Sequence, residues 1–262
     1  MLGAIAGDIV GSYYERFPTK SFDFTLYRDS STFTDDTVLT VAVAEWLMDG
    51  GDLVDIFRLH VARYPRAGYG GSFVRWAVQG DRQPYNSWGN GSAMRVSPVA
   101  WAASSLEKAT SLARETAMVT HNHPDGVRGA VATAGCVYLA KIGETKQIIR
   151  EYASTICGYD LSGNLSEIRA NYTFDVSCNG SVPQAILAFL ESHDYESAIR
   201  NAISLGGDAD TQAAIAGAIA EAHYGSIPKT IYDETITRLD ANLLAMTSRF
   251  YETVIKHPLP SM

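Results

Sequence analysis

Gly3, Gly7 and Gly11 recur at every fourth position of a segment whose apolar residues Leu2, Ile5, Ala6, Ile9, Val10 and Tyr13 keep the i, i+3, i+4, i+7 spacing of a helix. Glycine inside a helix costs up to about 1 kcal/mol relative to alanine. A stripe of three leaves a groove without Cβ atoms, so the first helix is predicted to pack against a second backbone at close range. Asp8 and Glu15 share another stripe of the same helix.

Helical periodicity continues through most of the chain. A second helix opens after Phe33-Thr34-Asp35-Asp36-Thr37, runs through an almost wholly apolar segment and stops at Gly50-Gly51. A third starts at Asp52 and ends before Pro65. Between Tyr64 and Pro98 the periodicity fails, and glycines at 68, 70, 71, 80, 89 and 91 mark loops around a short apolar run from Phe73 to Val78. So long a loop region inside a compact domain points to function. Helical patterns resume at 93–104, 107–119, 124–141, 145–157, 182–192, 195–205 and 211–224, and over much of 229–256. No alternating strand or hairpin signal is found. The expectation is an all-α fold in a single domain spanning residues 1–262, with no linker or repeat period.

Several function classes are excluded. The longest stretch free of Asp, Glu, Lys and Arg, Val176 to Leu190, has 15 residues and includes Asn179, Pro183 and Gln184, too short and polar to cross a membrane. No Lys or Arg precedes Arg16, and three cysteines without a CxxC pair speak for a reducing, cytoplasmic setting. With 29 acidic against 21 basic residues the net charge is −8, which disfavours electrostatic binding of nucleic acid.

Two acidic clusters stand immediately before apolar helices, Thr34-Asp35-Asp36-Thr37 and Gly206-Gly207-Asp208-Ala209-Asp210-Thr211, 172 residues apart. Helix capping explains one oxygen in each. It does not explain two carboxylates plus hydroxyls in each. If the two helices meet, four carboxylates converge, and Glu15 adds a fifth. Such a group raises its own pKa values unless cations offset it. Two divalent cations would reduce five negative charges to a net −1, and oxygen donors without Cys select hard ions such as Mg²⁺ or Mn²⁺.

Gly7-Asp8 with Gly11 and Glu15, the Phe33–Thr37 cluster, Asn90-Gly91-Ser92-Ala93-Met94-Arg95 and the Gly206–Thr211 cluster together resemble the ADP-ribosylglycohydrolase family, related to dinitrogenase-reductase-activating glycohydrolase, in that family's order along nearly the whole chain. The resemblance implies an orthogonally packed helical domain with a binuclear Mg²⁺ or Mn²⁺ centre that cleaves the glycosidic bond of ADP-ribose. It implies Thr34, Asp35 and Asp36 on one side of the metals, Asp208, Asp210 and Thr211 on the other, and Glu15 closing over them. Asp35 or Asp36 would act as base. The glycine-rich segment 66–73, with Gly68, Tyr69, Gly70 and Gly71, resembles the phosphate loop, and Asn90, Ser92 and His121 fall where ligand contacts are expected. Tyr69, Tyr85 and Trp88 are candidates for stacking on adenine. The partner would be an ADP-ribosylated protein or a small ADP-ribosyl adduct, with nucleic acid entering only as an ADP-ribosylated substrate.

The chain is shorter than better-known members, and Ala209 and Gln212 depart from their second acidic motif, which leaves the leaving group open. A two-metal phosphohydrolase acting on a nucleotide would use the same oxygen-rich site, but it would release phosphate. A metal-free glycosidase leaves the threonines and extra aspartates unexplained. A lens crystallin also resembles this family, and a non-catalytic descendant is usually marked by lost ligands. All six ligand positions and Glu15 are present here.

Overall fold

The computed structural model describes residues 1–256 and 259. Its first half holds α1 (Leu2–Arg16), α2 (Asp35–Asp49), α3 (Leu53–Arg63), α4 (Gly71–Gln79), α5 (Gly91–Met94), α6 (Ser97–Ala102), α7 (Leu106–Met118) and α8 (Pro124–Lys141). The second half holds α9 (Lys146–Glu151), α10 (Leu165–Asn171), α11 (Cys178–Leu190), α12 (Tyr195–Ile203), α13 (Ala209–Tyr224), α14 (Lys229–Arg238) and α15 (Ala241–Phe250). Single π-helical turns extend α9 and α15. Among the described residues there is no strand, only an isolated bridge between Gly89 and Ser177. The all-α expectation holds, and among the described residues no helix is long and apolar enough to cross a membrane.

The glycine stripe does what its spacing predicts. A Cβ at Gly3 would lie 2.4 Å from the Gly217 carbonyl oxygen, one at Gly7 2.1 Å from that of Ala213, and one at Gly11 2.4 Å from Asp210 Cα. Thus α1 and α13 touch backbone to backbone, the most extensive helix pair in the molecule. Helix α13 is buried on every face from Ala209 to Ala222, and its alanines let α8, α11 and α12 approach as well. Helix α2, buried from Asp36 to Ala44, separates two further apolar clusters.

Five elements differ from the periodicity. Residues 71–79 form α4, whose two and a half turns bury only Phe73 and Trp76 and so show little pattern. Helix α10 was equally faint, since Leu165 is its one buried residue. The 93–104 segment divides at Arg95-Val96, ahead of Pro98, and the 229–256 segment divides at Leu239-Asp240, where Asp240 caps a new helix through its contacts with Asn242 N and Leu243 N. Helix α11 starts at Cys178 rather than Val182 because Ser177 caps it by accepting from Gly180 N at 2.8 Å.

Candidate active site

The helix starts of α2 and α13 face each other across α1. At the start of α2, Thr34 Oγ1 accepts from Asp36 N at 3.3 Å, so one hydroxyl does the capping and both aspartates remain available. The turn into α13 needs the positive φ of Gly206 (+66°) and delivers Asp208, whose side chain makes no cap bond. Asp208 Oδ2 instead accepts from Asn90 Nδ2 at 2.7 Å. Thr211 Oγ1 donates to Asp36 Oδ2 at 3.2 Å and ties the two clusters together.

Asp8, placed by sequence on the Glu15 stripe and in the first motif without a role, belongs to the site. It is fully buried, and it accepts from Thr34 N (2.9 Å), Thr34 Oγ1 (2.7 Å), Thr37 N (3.1 Å) and the Thr37 hydroxyl. A carboxylate interrupting an apolar helix face was its one visible signal. Carboxylate oxygens of Asp8, Asp36 and Asp210 lie within 4.8 Å of one another, as do those of Glu15, Asp208 and Asp210. Either trio can hold a metal ion, and Asp210 belongs to both. Asp35 belongs to neither.

Burial, then the neighbouring carboxylates, push the group upward in pKa. Asp8 is raised to about 6 by burial alone, against the hydrogen bonds it accepts. Asp35 is raised to about 8 by burial and by the charges of Asp8, Asp208 and Glu15. Asp36 and Asp210 are driven in the same direction by burial and by the surrounding aspartates, and half-buried Glu15 by burial and Asp208. Asp36 Oδ1 is buried with no hydrogen-bond partner. Oxygen donors, an orphaned carboxylate oxygen and uncompensated like charge all fit hard divalent cations.

Glu15, Asp35, Asp36, Asp208 and Asp210 floor a cavity of about 640 Å³, a volume suited to a small ligand, and Asp8 lies buried behind them. Gly68, Gly70, Gly71 and Ser72 form one wall. Gly68 needs its φ of +102°, and a Cβ there would sit 3.4 Å from Asp35 Oδ1. Gly70 precedes α4 without any side-chain cap, so the first amide N–H groups of that helix are open to an anion. Asn90 and His121 line the opposite side, with Tyr85 and Trp88 nearby. Exposed Phe17 and Phe174 also border the cavity, and no sequence signal marked them.

Two expected ligand contacts are placed elsewhere. Tyr69 does not line the cavity but stacks on Phe73, ring centres 5.6 Å apart, within an apolar cluster. Ser92 is fully buried and donates to the Gly126 carbonyl at 2.6 Å, bracing α5 against α8. Gln212 turns away from the carboxylates, and its Nε2 donates to Tyr172 Oη at 2.9 Å.

A family model described as ADP-ribosylglycohydrolase matches residues 1–257. The ADP-ribosylhydrolase ARH3 of Homo sapiens is 28% identical over 307 aligned positions, covering 86% of this chain and 84% of that protein. The ADP-ribosylarginine hydrolase Tri1 of Serratia proteamaculans is 24% identical over 90% of this chain and 74% of its own length. A solved structure described as an ADP-ribosylglycohydrolase-related protein complex superposes with a TM-score of 0.73 at 26% identity, covering 97% of this chain and 95% of that one.

Proposed function

Because the chain belongs to the ADP-ribosylglycohydrolase family and is an enzyme that hydrolyses the glycosidic bond of ADP-ribose, we propose that two divalent cations, Mg²⁺ or Mn²⁺, complete its carboxylate cluster. The substrate is an ADP-ribosylated protein side chain or small adduct, and the product is free ADP-ribose. The observation that carries this reading is the pair of carboxylate trios sharing Asp210 at the floor of a cavity walled by the uncapped start of α4.

Asp8, Asp36, Asp208, Asp210 and Glu15 would hold the cations, with Thr34, Asp35 and Thr211 beside them. When bound, such cations supply Lewis acidity toward ribose hydroxyls and water. The chain itself orients and moves protons. The Gly68–Gly71 loop and the first N–H groups of α4 receive the diphosphate, which places the distal ribose over the carboxylates. Asp35 lies outside both trios and faces the cavity, so it is the favoured acceptor for the proton of the attacking water. That water's oxygen joins the anomeric carbon as the bond to the leaving nitrogen or oxygen breaks, and the leaving atom takes up the proton that Asp35 accepted. Glu15, half-buried at the rim, relays protons to solvent. Single-domain organisation and a cytoplasmic, reducing setting complete the proposal, in keeping with three free cysteines.

Incubation with ADP-ribosyl-arginine, ADP-ribosyl-serine, O-acetyl-ADP-ribose and ADP-ribosylated nucleic acid is expected to release intact ADP-ribose from at least one. Release of inorganic phosphate instead would overturn the reading.

Glu15→Gln keeps the size of the side chain and removes the transferable proton. Turnover is expected to fall about 100-fold, the ordinary worth of a positioned acid or base, with at least one metal retained. Wild-type turnover would reduce Glu15 to a rim residue. Gly70→Val adds a side chain at a position with φ −58° and no atom within 4 Å, so the fold tolerates it while the branched chain obstructs the phosphate wall. Calorimetric affinity for ADP-ribose is expected to weaken at least about 10-fold, or ~1.4 kcal/mol. Unchanged affinity would remove the loop from the site.

Chelation is expected to abolish turnover, and Mg²⁺ or Mn²⁺ to restore it. The chelated protein also has a defined pH dependence. Asp8 and Asp35 have folded pKa values raised to about 6 and about 8 over an ordinary 3.8, so the folded state binds more protons than the unfolded one. Their contribution is fully present below pH 3.8 and is lost as pH rises through those raised values. Thermal unfolding in chelator should therefore show falling stability between pH 5 and pH 9 in proportion to this loss, and added cation should reverse the trend. A chelated protein equally stable at both ends would contradict the crowding of these carboxylates.

A further inference from the structure

Among the described residues Arg95 is the largest fully buried side chain, and none of them gives it a carboxylate partner. Its guanidinium lies 4.5 Å from the centre of the Phe57 ring, Nη2 donates to Thr116 O (3.0 Å) and to Thr120 Oγ1 (2.8 Å), and Nε and Nη1 are buried without partners. Thr120 Oγ1 in turn stands 2.8 Å from His121 Nδ1. The far nitrogen of that ring, Nε2, lies on the cavity side and pairs with no group among the described residues. A Cβ at Gly91 would come within 3.0 Å of it, so glycine keeps the approach open.

Donor and acceptor accounting fixes the direction of this chain. The guanidinium can only donate, so Thr120 Oγ1 accepts from it. The threonine hydroxyl still has one hydrogen to place, and His121 Nδ1 is the acceptor within reach. Were Nδ1 protonated, it would donate to the second lone pair of Oγ1 and leave the threonine hydroxyl hydrogen without an acceptor in a buried site. Burial and the positive charge of Arg95 also hold His121 well below the usual histidine range, against the doubly protonated ring.

We propose that Arg95 and Thr120 are positioning residues that fix His121 as the Nε2–H tautomer, so that the ring offers one donor to an anionic phosphate oxygen of the ligand. The identity of that ligand rests on the ADP-ribose reading above; the tautomer does not.

The test is a long-range ¹H–¹⁵N spectrum of histidine-labelled protein, with the His121 signals assigned by their loss in His121→Gln, together with calorimetry using ADP-ribose. The ligand-free wild type is expected to show the Nε2–H pattern at neutral pH. Thr120→Val should shift the ring to mixed tautomers and weaken ADP-ribose roughly 10-fold, the worth of one charge-assisted hydrogen bond. Thr120→Ser should restore both. An Nδ1–H or doubly protonated ring in the wild type overturns the proposal, as does a Thr120→Val protein with unaltered tautomer or affinity. Should Thr120→Val fail to fold, the spectra of wild type and Thr120→Ser still decide the tautomer. If the wild type does not bind ADP-ribose, the functional reading falls while the ring spectrum independently tests the positioning.

Discussion

Asp210→Ala is expected to lower glycosidic turnover on the order of 1,000-fold or more, because it removes an oxygen donor from both carboxylate trios at once. Metal analysis of the purified variant should give fewer than two equivalents per chain, and excess Mn²⁺ should not restore wild-type turnover. Stability responds differently. Asp210 is buried and raised in pKa by Asp208 and Asp36, so in chelator its removal relieves repulsion, whereas in saturating cation it removes a stabilising ligand. Thermal unfolding of variant and wild type, each with and without cation, separates the two terms. Full activity with two equivalents of metal would sink the shared-ligand reading.

Gly11→Ala is expected to damage turnover as well as stability, because its clash falls on the backbone of a site carboxylate. The new Cβ would lie 2.4 Å from Asp210 Cα and 2.5 Å from Ala209 O, both backbone atoms that no rotamer change can move. Relief requires α1 and α13 to separate by about an ångström, at an overpacking cost of about 1–3 kcal/mol, or about 2–4 °C in Tm per kcal/mol at this chain length. Asp210 moves with its backbone, and displacement on that scale costs about 100-fold in rate. Gly3→Ala is the control. It meets Gly217 O at 2.4 Å, about two turns along α13 from Asp210, so it should lose similar stability while the folded enzyme keeps most of its turnover. Equal activity losses from both variants would show that the stripe acts only on stability.

The same stripe shows what sequence reading delivers. Spacing by four in an apolar helix predicted backbone contact, and the contact exists, because a missing Cβ has one steric consequence wherever the helix lies. The acidic clusters were legible for a related reason, since two carboxylates exceed what capping uses. Rotational phase in short elements was not legible. Tyr69 and Ser92 sit within a few residues of cavity-lining positions, yet a single turn at α4 or α5 settles which side faces the ligand, and that turn depends on tertiary packing by Phe73 and Gly126. The role of Asp8 was hidden because its partners, Thr34 and Thr37, come from the next helix. The solitary charge of Arg95 was hidden too, since nothing local distinguishes a buried arginine from an exposed one.

The hydrogen bond from Thr211 to Asp36 joins residues 175 apart in the chain. That bond cannot form until both ends of so long a loop have been synthesised. A nascent chain that has emerged as far as α12 already displays Asp8, Glu15, Asp35 and Asp36 but lacks Asp208 and Asp210. Helix α1 meanwhile leaves its glycine groove open until α13 is synthesised. Hydrolytic competence in this protein therefore requires the chain through α13, and is absent from every truncated translation product that stops before the second acidic cluster.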